Sequence, residues 1–260
     1  MGLALANLTD SDAKGLKTPT VWGNVQFRAA SYRAGYIVMN STGAFRELSD
    51  VLAGITLDRI AERQRQRQES YSGRPGRHKA GIQAGFNDEL DHTLTSREHG
   101  WDCQVPVFEP DSGSKKGYWT MDFKKSFPPL KYGVGVEVTF NHAEALPWTL
   151  IRPTLAYQEV EVKLGSRINV AAIIIGTDNL KGNRRDGSLR MDSAVGTYER
   201  LRTLLPKMKW VLPVPMVIFG LDWKDGGMVG EVEEIDLYAA QSGLPTSSGG
   251  EEPSSEEEEG

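Results

Sequence analysis

A strand of alternating polarity limits what this chain can fold into. Residues 133–141, GVGVEVTFN, alternate valine and phenylalanine with small or polar residues. Because a β-strand has a period of two, the apolar side chains share one face, and Glu137 and Thr139 share the other. A carboxylate in so apolar a strand is costly unless a cation or a hydrogen-bond donor faces it. The sequence therefore predicts a sheet in which Glu137 has such a partner.

A second carboxylate lies on the strand before this one. Residues 118–123, YWTMDF, have the composition of a strand, and a loop with two prolines joins them to residues 134–140. Pairing of the two strands brings Asp122 alongside Glu137, where the two negative charges repel each other. Two interpretations are open. Either Glu137 pairs with a lysine or arginine while Asp122 caps the loop, or both acids share one divalent metal ion.

Composition and motifs exclude several classes of protein. The 260 residues hold no run approaching the roughly 18 apolar residues of a membrane helix. The single cysteine, Cys103, excludes an internal disulfide and a cysteine-cluster zinc site. The four histidines lack zinc-ligand spacing, and the glycine-rich loops of nucleotide-binding proteins and the serine motif of hydrolases are missing. We expect a cytoplasmic protein without a membrane partner.

The net charge is concentrated in the last twenty residues. Residues 241–260 contain six Glu and no Lys or Arg, and without them the net charge of −5 becomes +1. A near-neutral body neither requires nor forbids a nucleic-acid partner, since a local basic cleft decides that. The basic run 61–81 is either a solvated helix end with a loop or an arm that contacts phosphate.

The order of predicted elements indicates an α/β fold with a central mixed sheet flanked by helices. We expect an amphipathic helix capped by Asn40, Ser41 or Thr42, with apolar residues at helical spacing up to Ile60. The later predictions are helices at about 80–98, 144–165 and 193–208, and strands at 100–107, 118–123, 134–140, 169–177 and 214–223. The expected organisation is an N-terminal helical and basic extension packed on the core (1–79), a core (80–223), an edge element (224–240) and a disordered acidic tail (241–260).

Several segments together resemble a known family. An aspartate on the second core strand and Glu-x-Lys on the third characterise the PD-(D/E)xK nuclease fold, and here Thr139 stands in place of the lysine. The segments TMDFKKSFPPLKYGVGVEVTFNHAEALPWTLIRPTLAYQ, INVAAIIIGT, DSAVGTYERLRTLLPKM and VPMVIFGLDW resemble the BglII/BstYI family of type II restriction endonucleases. The resemblance extends over roughly residues 30–223 and implies a PD-(D/E)xK core.

The resemblance implies roles for particular residues. Asp122 and Glu137 match the metal-binding acids, and the Val138 carbonyl is a further ligand for Mg²⁺. Thr139 matches the family's glutamine, which replaces the usual lysine, and is the third catalytic residue beside the two acids. Threonine can orient a water molecule but carries no positive charge.

The resemblance also implies residues that contact DNA. Asn141 and His142 follow the glutamate strand, where the family approaches DNA, and Lys124 and Lys125 follow the metal-binding aspartate. For His142 and the two lysines, an ordinary exposed side chain is an equally open interpretation.

The implied function is Mg²⁺-dependent hydrolysis of double-stranded DNA at a short palindrome with a GATC centre, leaving 5′-phosphate ends. The implied partners are a second copy of the chain in a homodimer and a cognate DNA methyltransferase that protects the same site. Two alternatives remain open: a catalytically inactive DNA-binding protein on the same fold, and a structure-specific or repair nuclease.

Overall fold

One mixed sheet organises the chain. The computed structural model describes residues 25–71, 82–108, 119–140, 143–158, 166–180, 195–222, 227–228 and 230–238. The strands are β1 (Gln26–Tyr32), β2 (Asp102–Pro106), β3 (Thr120–Lys125), β4 (Val134–Thr139), β5 (Val170–Gly176), β6 (Met216–Asp222), β7 (Gly227–Met228) and β8 (Glu233–Glu234). Their order is β2-β3-β4-β5-β6-β1-β7, and β8 also pairs with β1. The β4–β5 and β5–β6 pairs are parallel, whereas β2–β3, β3–β4 and β1–β6 are antiparallel.

Helices cover both faces of this sheet. They are α1 (Gly35–Asn40), α2 (Ala44–Gly54), α3 (Leu57–Tyr71), α4 (Ile82–Leu94), α5 (Leu146–Gln158) and α6 (Tyr198–Leu204). One apolar cluster lies between the sheet and α1 to α4, and a second lies between the opposite face and α5 and α6. All seven residues of β5 are buried, as expected for a parallel strand covered on both faces. The predicted α/β fold with a mixed sheet and flanking helices is confirmed.

The N-terminal part of the chain differs from the prediction. Strand β1 lies within the central sheet, antiparallel to β6, although its residues fall in the segment expected to form an extension. The predicted amphipathic helix is two helices, because the chain becomes extended at Ile55 between α2 and α3. The predicted cap is also wrong: Gly43 in the left-handed region precedes α2, without a side-chain hydrogen bond. The boundary at residue 79 stays a prediction.

The remaining elements follow the prediction with shorter bounds. Helix α5 begins at Leu146, so Pro147 lies in its first turn and Pro153 lies inside it. Residues 205–208 form a 3₁₀ turn after α6 instead of extending the helix. Within 224–240, the described residues include the short strands β7 and β8 at the edge of the sheet beside β1. The acidic tail 241–260 lies outside the described residues.

In the part of the chain that the structure describes, we find no helix long and apolar enough to cross a membrane.

The first helix lies directly on the backbone of β6. A Cβ atom added to Gly35 would stand 2.2 Å from the carbonyl oxygen of Met216 and 2.6 Å from its amide nitrogen. These atoms belong to the central sheet and cannot move aside as a flexible side chain can. The close approach therefore requires glycine at position 35.

We expect Gly35→Ala to lower the free energy of unfolding by about 1–3 kcal/mol or more, because the methyl group forces α1 away from β6. Gly54→Ala is the matched control, since its Cβ would meet nothing within 4 Å. It should be neutral or stabilising by up to about 1 kcal/mol, because alanine favours the helix. Urea unfolding measures both values, and equal effects of the two substitutions would contradict the close approach.

Candidate active site

Strand β3 changes faces at Asp122. Met121 belongs to the apolar cluster on one side of the sheet and Phe123 to the cluster on the other, although a regular strand would place both on one side. On the neighbouring strand, Gln104 lies opposite this point with a φ of 49°. Positive φ is uncommon for a residue other than glycine. The irregularity in both strands sets Asp122 apart from the regular alternation.

Strands β3 and β4 separate at the same point. Their ladder pairs Phe123 with Val136 and extends toward the hairpin from there. One step beyond, Asp122 and Glu137 would form the next pair, but Asp122 Oδ2 instead accepts a hydrogen bond of 2.7 Å from the Val138 amide. The side chain thus takes a donor that a backbone carbonyl would otherwise use. Asp122 and Glu137 lie together in the gap between the parted strands.

Glu137 is the more deeply buried of the two acids in this gap. Its exposed fraction is 0%, and neither carboxylate oxygen has a hydrogen-bond partner among the described residues. Burial raises the pKa of Glu137 well above its ordinary value, and the charge of Asp122 raises it further. The ionised form of Glu137 is therefore unfavourable in the folded protein unless a cation joins it.

Arg152 of helix α5 supplies a nearby positive charge. Its Nη2 lies 2.8 Å from Glu137 Oε2, and its Nη1 donates a hydrogen bond of 3.0 Å to the Thr120 carbonyl. The contact with Glu137 has the distance of an ion pair, but it does not count as a hydrogen bond, since neither Glu137 oxygen has such a bond within the described part of the chain. The sequence left open that a lysine or arginine pairs with Glu137. Arg152 forms such a pair, but through only one of its nitrogen atoms.

Asp122 is half-buried and held from two sides. Burial raises its pKa, while the Val138 hydrogen bond and the Arg152 charge act in the opposite direction. Gln104 Nε2 lies 3.4 Å from Asp122 Oδ1, and Gln104 Oε1 accepts a hydrogen bond of 3.0 Å from the Thr120 hydroxyl. These contacts fix the direction of the Asp122 carboxylate.

The arrangement fits a divalent cation bound by oxygen atoms. The Glu137 oxygens are buried and have no hydrogen bonds to the described residues, and a second carboxylate lies beside them. The Val138 N–H points to the β3 side of β4, and in a strand the carbonyl of the same residue points the same way. No group of three or more His, Cys, Asp and Glu residues suited to a metal occurs among the described residues. The candidate site therefore consists of two carboxylates and a backbone carbonyl.

The other predicted site residues differ in their surroundings. Thr139 is buried at the end of β4. Lys124 is also buried, and burial lowers its pKa while Asp102 on β2 acts in the opposite direction. Asn141 and His142 lie outside the described residues. Their roles stay predictions.

Lys125 points away from the gap. Its Nζ donates hydrogen bonds of 2.8 and 2.9 Å to the two carboxylate oxygens of Glu47 on α2. The same carboxylate accepts a hydrogen bond of 2.8 Å from Trp101 Nε1. Lys125 thereby joins β3 to α2, and a DNA contact by this residue stays a prediction that competes with an existing ion pair.

The described part of the basic run is also paired with acids. Helix α3 places Arg63 of this run 2.9 Å from one carboxylate oxygen of the buried Glu89, and Arg59, just before the run, lies 3.0 Å from the other oxygen. Arg67 lies 2.5 Å from Asp88. These contacts attach α3 to α4, and the residues from 72 to 81 lie outside the described part.

Sequence reasoning missed Arg152 and Gln104. Arg152 lies within a segment predicted as a core helix, and no spacing rule connects it with Glu137, fifteen positions earlier on a different element. A signal did exist: a charged residue in an apolar helix needs a partner. No sequence pattern points to Gln104, because its contact with Asp122 depends on its left-handed backbone conformation.

The chain was also compared with known protein families, curated proteins and solved structures. The model of the family described as restriction endonuclease BglII/BglIII matches residues 27–221. A search of curated proteins gave no significant match. Among solved structures, the chain is similar to restriction endonuclease BglII in complex with a DNA 16-mer, with 18% identity and a TM-score of 0.39. That match covers 56% of this chain and 55% of the BglII chain, or about half of each.

The raised pKa of Asp122 predicts that the metal-free protein loses stability as the pH rises. Its ionised form is disfavoured by folding, so the folded state holds its proton to higher pH than the unfolded state, whose pKa is about 3.9. Asp122→Asn removes this contribution while an amide oxygen still accepts from Val138. In chelator, we expect the variant to be more stable than the wild type at pH 8 by about 0.5–2 kcal/mol, and by less at about pH 3.5, which is below the unfolded-state pKa.

Urea unfolding at the two pH values measures this difference. Asp50→Asn is the control, since Asp50 is exposed on α2, and its effect should stay within about 0.5 kcal/mol. A gain that is the same at both pH values would show that the charge of Asp122 is not the cause.

Proposed function

Because the chain belongs to the BglII/BglIII restriction endonuclease family, we propose that it is a cytoplasmic type II restriction endonuclease that hydrolyses duplex DNA with Mg²⁺. The observation that carries the proposal is the gap between β3 and β4. There, Asp122 lies beside Glu137, whose carboxylate oxygens are buried without hydrogen bonds among the described residues. Such an arrangement is costly for a structural pair and suits a site that binds a hard cation.

In this proposal Asp122, Glu137 and the Val138 carbonyl hold the metal ion. Bound there, Mg²⁺ would neutralise charge at the scissile phosphate and lower the pKa of a water molecule. The residues of the chain orient what binds: Val138 and Gln104 fix the Asp122 carboxylate. Thr139, two residues after Glu137 on β4, would orient the attacking water through its hydroxyl.

The proposed substrate is a palindrome with a GATC centre, cut in both strands to leave 5′-phosphate and 3′-hydroxyl ends. The support is the family, together with the rule that a two-fold protein matches a two-fold site. A restriction enzyme of this kind also implies a DNA methyltransferase that protects the same sequence in the host.

We propose Lys124, Asn141, His142 and Lys125 as DNA ligands, and of these Lys125 would have to leave an existing ion pair to contact DNA. Lys124 lies two residues after Asp122, and its lowered pKa reflects burial that a phosphate would compensate. Lys125 already donates two hydrogen bonds to Glu47.

We expect the wild type to cut a phage genome into discrete fragments with Mg²⁺, and Asp122→Asn or Glu137→Gln to lower the rate by about 100-fold or more. Each substitution removes a negative ligand at almost unchanged volume. Asp50→Asn is the matched control and should cut at the wild-type rate. Sequencing of the fragment ends gives the recognition sequence and the position of the phosphate.

Three results would redirect the proposal. Equal cleavage by all four proteins indicates a contaminating nuclease. Tight DNA binding without cleavage by any of them favours the inactive DNA-binding protein. Cleavage of forks or mismatches without discrete fragments favours the structure-specific nuclease.

We also propose that the enzyme is a homodimer. Several large apolar side chains are exposed in the single chain, with exposed fractions of 57% for Trp148 and 82% for Trp210. Analytical ultracentrifugation at micromolar concentration should give twice the chain mass of 28.7 kDa. A monomer that nevertheless cuts both strands of a palindrome in one binding event would contradict this assignment.

A further inference from the structure

The proposed reaction needs more positive charge than the metal ion brings. Asp122 and Glu137 together carry two negative charges, which one dication neutralises, and the scissile phosphodiester adds a further negative charge. Thr139 carries no charge at the position where the PD-(D/E)xK pattern has lysine. A cation from elsewhere in the fold would balance the charge of the phosphate.

Arg152 is placed to supply this charge. Its guanidinium spans the gap between the parted strands, with Nη1 on the Thr120 carbonyl of β3 and Nη2 beside Glu137 of β4. Arginine has five N–H donors and stays protonated, and these contacts use only part of that capacity. The Arg152 side chain is 25% exposed, whereas the Glu137 side chain beside it is fully buried, so Arg152 is the more accessible of the two to an incoming phosphate.

The helix that carries Arg152 is fixed against β3 by aromatic contacts. Trp148, one turn earlier on α5, packs edge to face on Trp119, with ring centroids 5.7 Å apart. Trp119 directly precedes Thr120, which accepts the Arg152 hydrogen bond. The position of the guanidinium over the gap is thus set by packing and not only by its attraction to Glu137.

Lys124 is another cation of β3 within the described residues, and it is less suited to this task. The charge of Asp102, on the outer strand β2, raises the pKa of Lys124. The charge of Arg152, by contrast, lowers the pKa values of both Asp122 and Glu137. Lysine also presents one point charge, whereas arginine binds phosphate with two parallel hydrogen bonds.

We propose that Arg152 is a catalytic residue that binds the scissile phosphate and takes the place of the lysine missing from β4. This inference rests on the proposed function. In the absence of DNA and metal, the guanidinium is held by Thr120 and Glu137. With a dication on Glu137, the Arg152 guanidinium would donate to the phosphate oxygens instead, and it would stabilise the charge that develops on them during hydrolysis.

The test compares Arg152→Met, Arg152→Lys and the wild type by single-turnover cleavage at saturating DNA. Arg152→Met should lower the rate by about 100- to 1000-fold, and Arg152→Lys by about tenfold, because lysine restores the charge but not the paired donors. DNA affinity in Ca²⁺ should change by less than about tenfold. Arg202→Met is the control, since Arg202 on α6 forms an ion pair with Glu233 at the far edge of the sheet, and its rate should match the wild type.

A second measurement separates catalysis from support of the metal ligands. Without DNA, thermal shift with Ca²⁺ should show Arg152→Met binding the ion at least as tightly as the wild type, because a competing positive charge is gone. Loss of Ca²⁺ binding would assign Arg152 a supporting role and overturn the inference. So would a rate for Arg152→Met within about threefold of the wild type.

The remaining outcomes are also decisive. If circular dichroism shows that Arg152→Met is unfolded, Arg152→Lys decides: a wild-type rate overturns the inference, and a reduced rate with normal Ca²⁺ binding supports it. If the wild type itself cuts no DNA, the proposed function fails and the inference fails with it. If the wild type and Arg152→Met cut equally, only the inference fails.

Discussion

The hydrogen bond from the Val138 amide to the Asp122 carboxylate is the interaction on which the site depends. Two neighbouring strands normally satisfy their amides through the ladder, and each missing bond between buried groups costs about 1–3 kcal/mol. Here a charged acceptor replaces a carbonyl, so β3 and β4 part without leaving this amide unpaired. The same bond aims the carboxylate into the gap. The same hydrogen bond therefore accounts both for the separation of the two strands and for the position of the Asp122 carboxylate.

The rest of the fold holds this gap in a fixed shape. Strand β5, buried along its whole length, pairs with β4 over six residues from Val134 to Thr139. Apolar clusters cover both faces of the sheet, and their close packing opposes a movement of β4 toward β3 that would close the gap. The burial of Glu137, which raises its pKa, lowers the stability of the fold locally. Folded proteins carry such unfavourable groups mainly at functional sites.

The sequence predicts those parts of the fold that depend on a regular period. The alternation of β4 and the apolar runs of β5 and β6 each correspond to a strand, and the neighbouring positions of Asp122 and Glu137 follow from the hairpin. Departures from regularity were not predictable. The extended backbone at Ile55, the left-handed Gln104 and the change of face at Asp122 arise from tertiary packing, which local propensity does not encode. Arg152 reaches Glu137 only because α5 folds back across β3 and β4.

The contact between Arg152 and Glu137 has two interpretations, and the surroundings of Glu137 separate them. A structural ion pair in a protein interior is stable only with good geometry and with further hydrogen bonds on the carboxylate. Glu137 has one contact of 2.8 Å without hydrogen-bond angles, and no other partner for its oxygens among the described residues. Its pKa stays well above the ordinary value although Arg152 lowers it, because burial and Asp122 outweigh that single charge. The state of Glu137 therefore favours the second interpretation, in which the carboxylate takes a divalent cation and the unused donors of the guanidinium take a phosphate.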